Sequence, residues 1–380
     1  MATIPILHFV NRFWIGGSER QFVERLRAHP KGFTPVVACL ERGGPLLQQV
    51  LDLGLEPIEF PLAGSMVRAN TAAQIARIAQ LMRDRGIPII HGTDFNTNLL
   101  GLAAARLAGT KCVVSRVDLG HLRAGFGPWH RRAEKLASRG ADLVCANAEA
   151  VRQLCIREEG CTPEQVTIVY NGLDLKRFDG LAKKDLEAPL PERTGLRIAV
   201  IGNLWPVKGH RTLVEAAAIV VKQFPTAQFF CAGEGPEREF LEKRIAELGL
   251  QNNVFLLGHR HDVPALLGQM DIGTLCSSAE GLSNAIIEAM ASRLPMVVTD
   301  VGGNGELVRE TENGFLVRYG DAQGLADRLG ILLGSETRRR EMGLAGRARV
   351  EAELTIERMQ EAYGEMYRRL LEGGAEKKAS

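Results

Sequence analysis

The sequence contains no long hydrophobic run. Its longest apolar-rich stretches, LVEAAAIVVKQF among them, are helix-length and amphipathic, short of the eighteen or more apolar residues that mark a membrane-spanning helix. It has neither a CxxC pair nor a Cys/His cluster. The seven cysteines, at 39, 112, 145, 155, 161, 231 and 276, are dispersed, odd in number and mostly inside apolar runs. That argues against a disulfide framework or a zinc module, and reduced thiols in a cytoplasmic protein are expected. The N-terminal MATIPILHFVNRFW lacks the basic start, apolar core and cleavage site of a signal peptide and reads as a first strand. No G-x-x-x-x-G-K-[ST] loop is present, and no G-x-G-x-x-G follows the first strand of either half. A Walker A loop is excluded and a dinucleotide reading is weakened. No D-x-D stands on a loop and no metal-ligand cluster is visible, so no metal is expected.

What is present is the composition of a soluble globular protein, 45% apolar and 24% charged over 380 residues, enough for two domains of ordinary size. The net charge of +2 hides an asymmetry. Residues 1–178 carry 22 Lys and Arg against 16 Asp and Glu, and the remainder carries 25 against 29. The basic first half suits an anionic partner or surface, although arginines scattered over helices are more often solvated faces. No nucleic-acid partner is expected.

Short apolar runs alternate with helical periodicity along the chain. IPILHFV, TPVVACL, PIIHG, KCVVSRV, DLVCAN and QVTIVYN read as strands in the first half, with helices such as TAAQIARIAQLMRDRG between them. A second set starts at LRIAVIGNL and continues through AQFFCAG, NVFLLG, IGTLC and MVVT. Continuous apolar strands separated by helices predict parallel sheets covered on both faces. The expected architecture is α/β, two doubly wound Rossmann-like domains at 1–178 and 197–354 facing across a cleft. The polar stretch DGLAKKDLEAPLPERTGL, 179–196, reads as a linker. A long amphipathic helix is expected at 355–372. In such sheets ligands bind at the carboxyl ends of the strands.

Each half opens with a glycine-bearing turn between its first strand and first helix. In the first half it is Gly16-Gly17-Ser18, with Ser18 a candidate helix cap. It reads either as a plain tight turn or as a place where free amides favour an anion. In the second half the turn is GNLWPVKG, with Lys208 just ahead of the helix, placed to meet a phosphate as a point charge. Farther on, CSSAEGLSNAIIEAM carries Glu280 on a loop, Ser283 at an expected N-cap and Glu288 about a turn and a half into the helix. Carboxylates accept sugar hydroxyls well. Taken singly, Glu288 is equally explained by the macrodipole of its own helix.

Together these stretches resemble the family 4 glycosyltransferases of GT-B fold, retaining enzymes that use nucleotide sugars. The matching segments are GGSER, PIIHG, DLVCANAEAV, VYNGLDLKRF, IGNLWPVKGH, GEGPERE, EGLSNAIIEAM, LPMVVTDVGGNGELV and NGFLVRYGD, nearly the whole chain in the family's order. The resemblance implies a nucleoside-diphosphate sugar as donor, a UDP-sugar first among them, and no cofactor. It implies that Glu288 holds the donor ribose and that Glu280 contacts hydroxyls of the transferred sugar. The amides of Gly281, Leu282, Ser283 and Asn284 should line the donor. Lys208 should neutralise the diphosphate, and the amides of Gly16 and Gly17 should approach it. The final helix should return to brace the first domain. Two positions depart from the family pattern. Asn203 stands where many members have arginine. In Arg116-Val117-Asp118, Val117 falls where many have histidine. Arg116, Asp118 or His121 takes over that contact, or the donor sugar is handled differently.

The chemistry implied is departure of a nucleoside diphosphate through an oxocarbenium-like state. Lys208, Glu280 and Asp118 are the catalytic candidates, and Lys208 and helix amides act where a metal acts elsewhere. On the acceptor side stand Arg116, His121, Arg123 and Arg131, with Trp129, His130 and Arg132 in the same basic region. That region suggests a saccharide or lipid-linked acceptor and peripheral contact with anionic lipid on the inner face of the membrane. The competing readings are a nucleotide-sugar epimerase of the same fold and a non-catalytic sugar-nucleotide binding protein.

Overall fold

The computed structural model describes residues 3–62, 69–119 and 127–376. It divides into two compact units, Met1–Gly172 with Ile356–Ser380, and Leu173–Thr355.

The first unit is built on seven strands, β1 (Ile4–Val10), β2 (Phe33–Cys39), β3 (Ile58–Glu59), β4 (Ile89–Gly92), β5 (Lys111–Arg116), β6 (Leu143–Ala146) and β7 (Val166–Ile168). Their order is β3-β2-β1-β4-β5-β6-β7, and every pairing is parallel. The chain winds outward from β1 to β3, then crosses to the other side of β1 and winds outward again from β4. The winding therefore reverses between β1 and β4, paired with His8 opposite His91. Buried runs such as ILHFV in β1 are, apart from His8, apolar on both faces because helices cover both. The last helix, Ile356–Glu376, belongs to this unit. Its Met359, Met366, Tyr367 and Leu370 share a core with Ile6, Ile89, Val113 and Leu143.

The second unit holds β8 (Arg197–Ile201), β9 (Gln228–Ala232), β10 (Val254–Gly258), β11 (Ile272–Leu275), β12 (Met296–Thr299) and β13 (Gly314–Val317). The order is β10-β9-β8-β11-β12-β13, again all parallel. Here the reversal falls between β8 and β11. The core gathers Ile198, Val200, Phe229, Val297 and Phe315 from the strands with Leu213, Leu241 and Leu329 from the helices.

The stretch read as a linker counts with the second unit. The Glu187 amide donates to Asp262 (2.7 Å), and the Arg193 guanidinium grips both oxygens of Asp271 (2.6 and 2.7 Å). A helix absent from the sequence reading, Glu336–Glu353, packs on helix Asn284–Ala291. The packing is close because Gly343 has no side chain: a Cβ there would lie 2.0 Å from the Arg293 carbonyl oxygen.

Candidate functional site

In a doubly wound sheet the loops that leave the strand ends at the reversal diverge and open a crevice. In the second unit these are loop 202–209 after β8 and loop 276–283 after β11. The two carry the sequence-derived candidates Lys208 and Glu280, and they are locked together. The Ser278 amide donates to the Val207 carbonyl (2.8 Å). Gly209 sits at φ +68°, and a Cβ there would lie 2.0 Å from the Cys276 carbonyl oxygen. Only glycine both adopts that backbone without strain and permits that approach. Lys208 Nζ then reaches Glu280 Oε1 at 2.6 Å, and Ser277 Oγ donates to the same oxygen at 2.6 Å. Ser277 is fully buried, and its carbonyl accepts from the Thr299 hydroxyl (2.6 Å). The glycine turn after β12 supports Glu280 from behind. The Gly303 amide donates to the Gly281 carbonyl (2.8 Å), and Gly302, at φ +52°, would place a Cβ 1.8 Å from the Glu280 carbonyl oxygen.

Ser283 occupies the N-cap of helix Asn284–Ala291 with no side-chain capping hydrogen bond, and Gly281, Leu282 and Ser283 are buried. Glu288 lies half-buried on the second turn of that helix. Asn203 is exposed. Its loop is held by the Leu204 amide donating to the Glu234 carbonyl (2.9 Å).

Two residues at this place were missed from the sequence. Ser277 is one; its spacing of three before Glu280 was the available signal. The other is His210, 1% exposed, the first residue of helix His210–Gln223. Neither of its ring nitrogens has a hydrogen-bond partner among the described residues. Burial, then the Lys208 charge, pushes its pKa down to about 4, so at neutral pH it is an uncharged imidazole beside the lysine.

In the first unit, Gly16 is the N-cap of helix Gly17–Arg27, with no side-chain capping bond. Ser18, read as a cap, lies instead within the first turn, because the N-cap falls two residues earlier, at Gly16. The Glu19 carboxylate folds back on Gly16, where a Cβ would stand 2.2 Å from its Oε2. Burial raises the pKa of Glu19. Across the reversal, Asp94 caps helix Phe95–Ala108, accepting from the amides of Asn96 and Thr97, and its other oxygen accepts from the Asn11 amide (2.9 Å).

Arg116 ends β5 and is 1% exposed. Its guanidinium is enclosed by Glu134 (2.6 Å), by Glu159 at hydrogen-bond distance and by Asp118 at 3.8 Å. The arginine expected on the acceptor side is thus held inside the unit by carboxylates 18 and 43 residues farther along. Asp118 keeps a side chain 40% exposed. Arg131 is exposed on helix Pro128–Gly140. His121 and Arg123 lie outside the described residues.

Residues 15–177 match the family described as Glycosyltransferase Family 4, and residues 195–335 match the family described as Glycosyl transferases group 1. The Bacillus subtilis (strain 168) protein named Putative glycosyltransferase EpsD is 31% identical over 324 residues, 81% of this chain and 84% of that one. The chain belongs to the family 4 glycosyltransferases. This glycosyltransferase is also 27% identical, over 84% of its length and 85% of the other's, to an Escherichia coli protein. That relative is named UDP-Gal:alpha-D-GlcNAc-diphosphoundecaprenol alpha-1,3-galactosyltransferase. Its fold matches that of Anabaena HepE, solved in complex with UDP, with a TM-score of 0.83 at 22% identity, over 96% of this chain and 100% of that one. The two Rossmann-like units are those of the GT-B fold. Among the described residues no helix is long and apolar enough to cross a membrane.

Proposed function

We propose that this glycosyltransferase moves a hexosyl group from a UDP-sugar to a saccharide carried on a lipid diphosphate, with retention of configuration and without a metal. The observation that carries the donor half is the Lys208–Glu280 pair on the two loops at the β8/β11 reversal. Lys208 offers the diphosphate a cation at the mouth of helix His210–Gln223, whose N-terminal amides favour an anion. Glu280, once its lysine turns to the phosphates, accepts hydroxyls of the sugar. Glu288 accepts the two ribose hydroxyls. The bond from the anomeric carbon to the phosphate oxygen breaks and the bond to the acceptor oxygen forms on the same face. The acceptor proton passes to the departing phosphate, which needs no carboxylate nucleophile. The donor and acceptor classes follow the Escherichia coli relative, by its name a UDP-galactose enzyme acting on a diphosphoundecaprenol saccharide.

Glu280→Gln separates these roles. It should bind UDP with affinity near that of the parent and lose most transfer of sugar. Full transfer with unchanged donor affinity would remove Glu280 from the mechanism. Formation of an isomerised donor without acceptor would turn the reading toward an epimerase.

A peripheral membrane contact belongs to the same reading. On helix Pro128–Gly140 the exposed Trp129 (53%) and Leu136 (65%) share a face with exposed Arg132 and Arg139, the pattern of a helix lying at an anionic interface. Flotation with phosphatidylglycerol vesicles at low salt should carry the protein upward, and Trp129→Ala with Leu136→Ala should abolish it. Absence of flotation by the parent protein overturns the contact.

A further inference from the structure

A cavity of about 330 Å³ opens in the first unit beside the end of β5, one strand out from the β1/β4 reversal. One wall is the flank of helix Pro128–Gly140 that carries Arg131, Arg132 and Lys135. The other is a five-residue π-helix, Cys155–Glu159, which contributes Glu158 and Glu159. The buried pair Arg116 and Glu134 also lines it.

The charges here are not evenly matched. Arg116 faces Glu134 and Glu159, with Asp118 farther off at 3.8 Å, and offsets only one carboxylate charge, so the floor is net negative and the positive charge of the cavity lies on its rim. Of the remaining lining groups, three are cationic and only Glu158 is anionic. None of Arg131, Arg132 and Lys135 forms an ion pair with another described residue. Cations scattered over a helix are ordinarily solvated, yet these three converge on one concavity. That concavity has a fixed floor: a fully buried arginine clamped between two carboxylates does not move. The π-turn adds a second sign of purpose. Turns of this kind are rare and frequently lie at functional sites, and this one ends on the Glu159 that grips Arg116.

We propose that this cavity binds the diphosphate of the lipid-linked acceptor, with Arg131, Arg132 and Lys135 as its cationic rim and the Glu134–Arg116–Glu159 triad as its rigid floor. The inference rests on the acceptor class given above and assigns it a place. Arginine forks suit phosphate oxygens, and the unmatched rim charge is of the sign a diphosphate requires.

The test uses the full chain and a short-chain prenyl-diphospho-N-acetylglucosamine as probe, with an octyl N-acetylglucosaminide that lacks the diphosphate as comparator. Calorimetry should show the parent protein binding the diphosphate probe and binding the comparator far more weakly. Arg132→Ala with Lys135→Ala should weaken the probe about tenfold or more. Arg85→Ala, an exposed cation of the same unit that does not line the cavity, should change it less than about twofold. Glu158→Gln, which removes the one unpaired carboxylate of the rim, should tighten it. Lys208→Ala should lose UDP and keep the probe, so a failure of the donor reading shows in UDP binding alone. Failure of the parent protein to bind the probe, or equal binding by the double variant and the parent, overturns the proposal.

Discussion

At the scale of single residues, the second unit depends on glycines that let two loops touch. Gly209 and Gly249 have nearly the same backbone, φ +68° and +69°, in very different surroundings. Around Gly249 nothing lies within 4 Å of an added Cβ, whereas at Gly209 that Cβ would collide with the Cys276 carbonyl. Alanine at either position takes on the left-handed backbone, at about 1 kcal/mol. Only Gly209→Ala must also push loop 202–209 away from loop 276–283. Both variants should therefore melt a few degrees lower, while UDP affinity falls about tenfold or more for Gly209→Ala and stays put for Gly249→Ala. Equal UDP affinity in the two would mean that the loop contact does not shape the pocket. This scale was only half legible in the sequence. Lys208 and Glu280 stood out by residue type and by the turns around them. That Ser277 and Lys208 would meet on one oxygen of Glu280 was not legible, because the lysine is 72 residues away and only the sheet order brings it near. The same holds for Arg116, whose carboxylate partners lie on a helix and a π-turn.

At the scale of elements, the C-terminal helix rests on a polar cluster inside the first unit. His91 Nδ1 meets the Tyr367 hydroxyl at 2.7 Å and its Nε2 meets the Ser115 hydroxyl at 2.9 Å. His8 and His29 approach at 3.1 Å. Arg25, 3% exposed, lies among them against His91, Thr93 and the ring of Tyr363. Tyr363 and Cys145 complete the titratable surroundings. Burial, then the Arg25 charge, holds His8 and His91 well below their ordinary range. Burial pushes His29 down to about 4. The unfolded chain takes up these protons near pH 6.5, before the folded chain does. Stability from the neutral rings is therefore complete above about pH 7 and falls as pH drops through 6.5. For His29 that fall continues to about pH 4. Denaturant unfolding at pH 7, 6 and 5 should show this slope, and His29→Gln should flatten it. Glu19 and Asp94, raised by burial, act with the opposite sign in both proteins, so the difference isolates the histidine. An unchanged slope in the variant would show that His29 gains its proton without loss of the fold. Of the elements themselves, the strands other than the two-residue β3 were legible as continuous apolar runs, and the last helix was legible by its apolar period. Helix Glu336–Glu353 was not. Its buried face is made of Met342, Gly343, Gly346, Arg347 and Val350, and two glycines and an arginine leave no apolar stripe to read. Its burial depends on close backbone approach and on the Arg347–Asp179 ion pair (2.7 Å).

At the scale of the whole molecule, the two units differ in how the chain builds them. The second is one continuous segment, Leu173–Thr355, while the first needs both ends of the chain. The sequence placed the change of domain near residue 178 and read 179–196 as a tether. The polar composition of that stretch concealed that its polar groups are partnered within the second unit. The continuity difference has a measurable consequence. Ile356, Met359, Met366, Tyr367 and Leu370 are each at most 9% exposed in the core of the first unit. Burial of one large apolar side chain is worth about 1.5–3 kcal/mol as an upper estimate, so five amount to roughly 7–15 kcal/mol. That equals the whole stability of an ordinary domain, about 5–15 kcal/mol. A fragment 1–172 should consequently fail to fold alone and should regain a cooperative melting transition when residues 356–376 are fused to it. A fragment 173–355 should fold by itself. If the nucleotide contacts lie on the loops at the β8/β11 reversal, that fragment should also show a UDP-dependent rise in melting temperature. A folded fragment 173–355 that ignores UDP, beside a full chain that binds it, would place the decisive donor contacts on the first unit, with the amides of Gly16 and Gly17 the next groups to test.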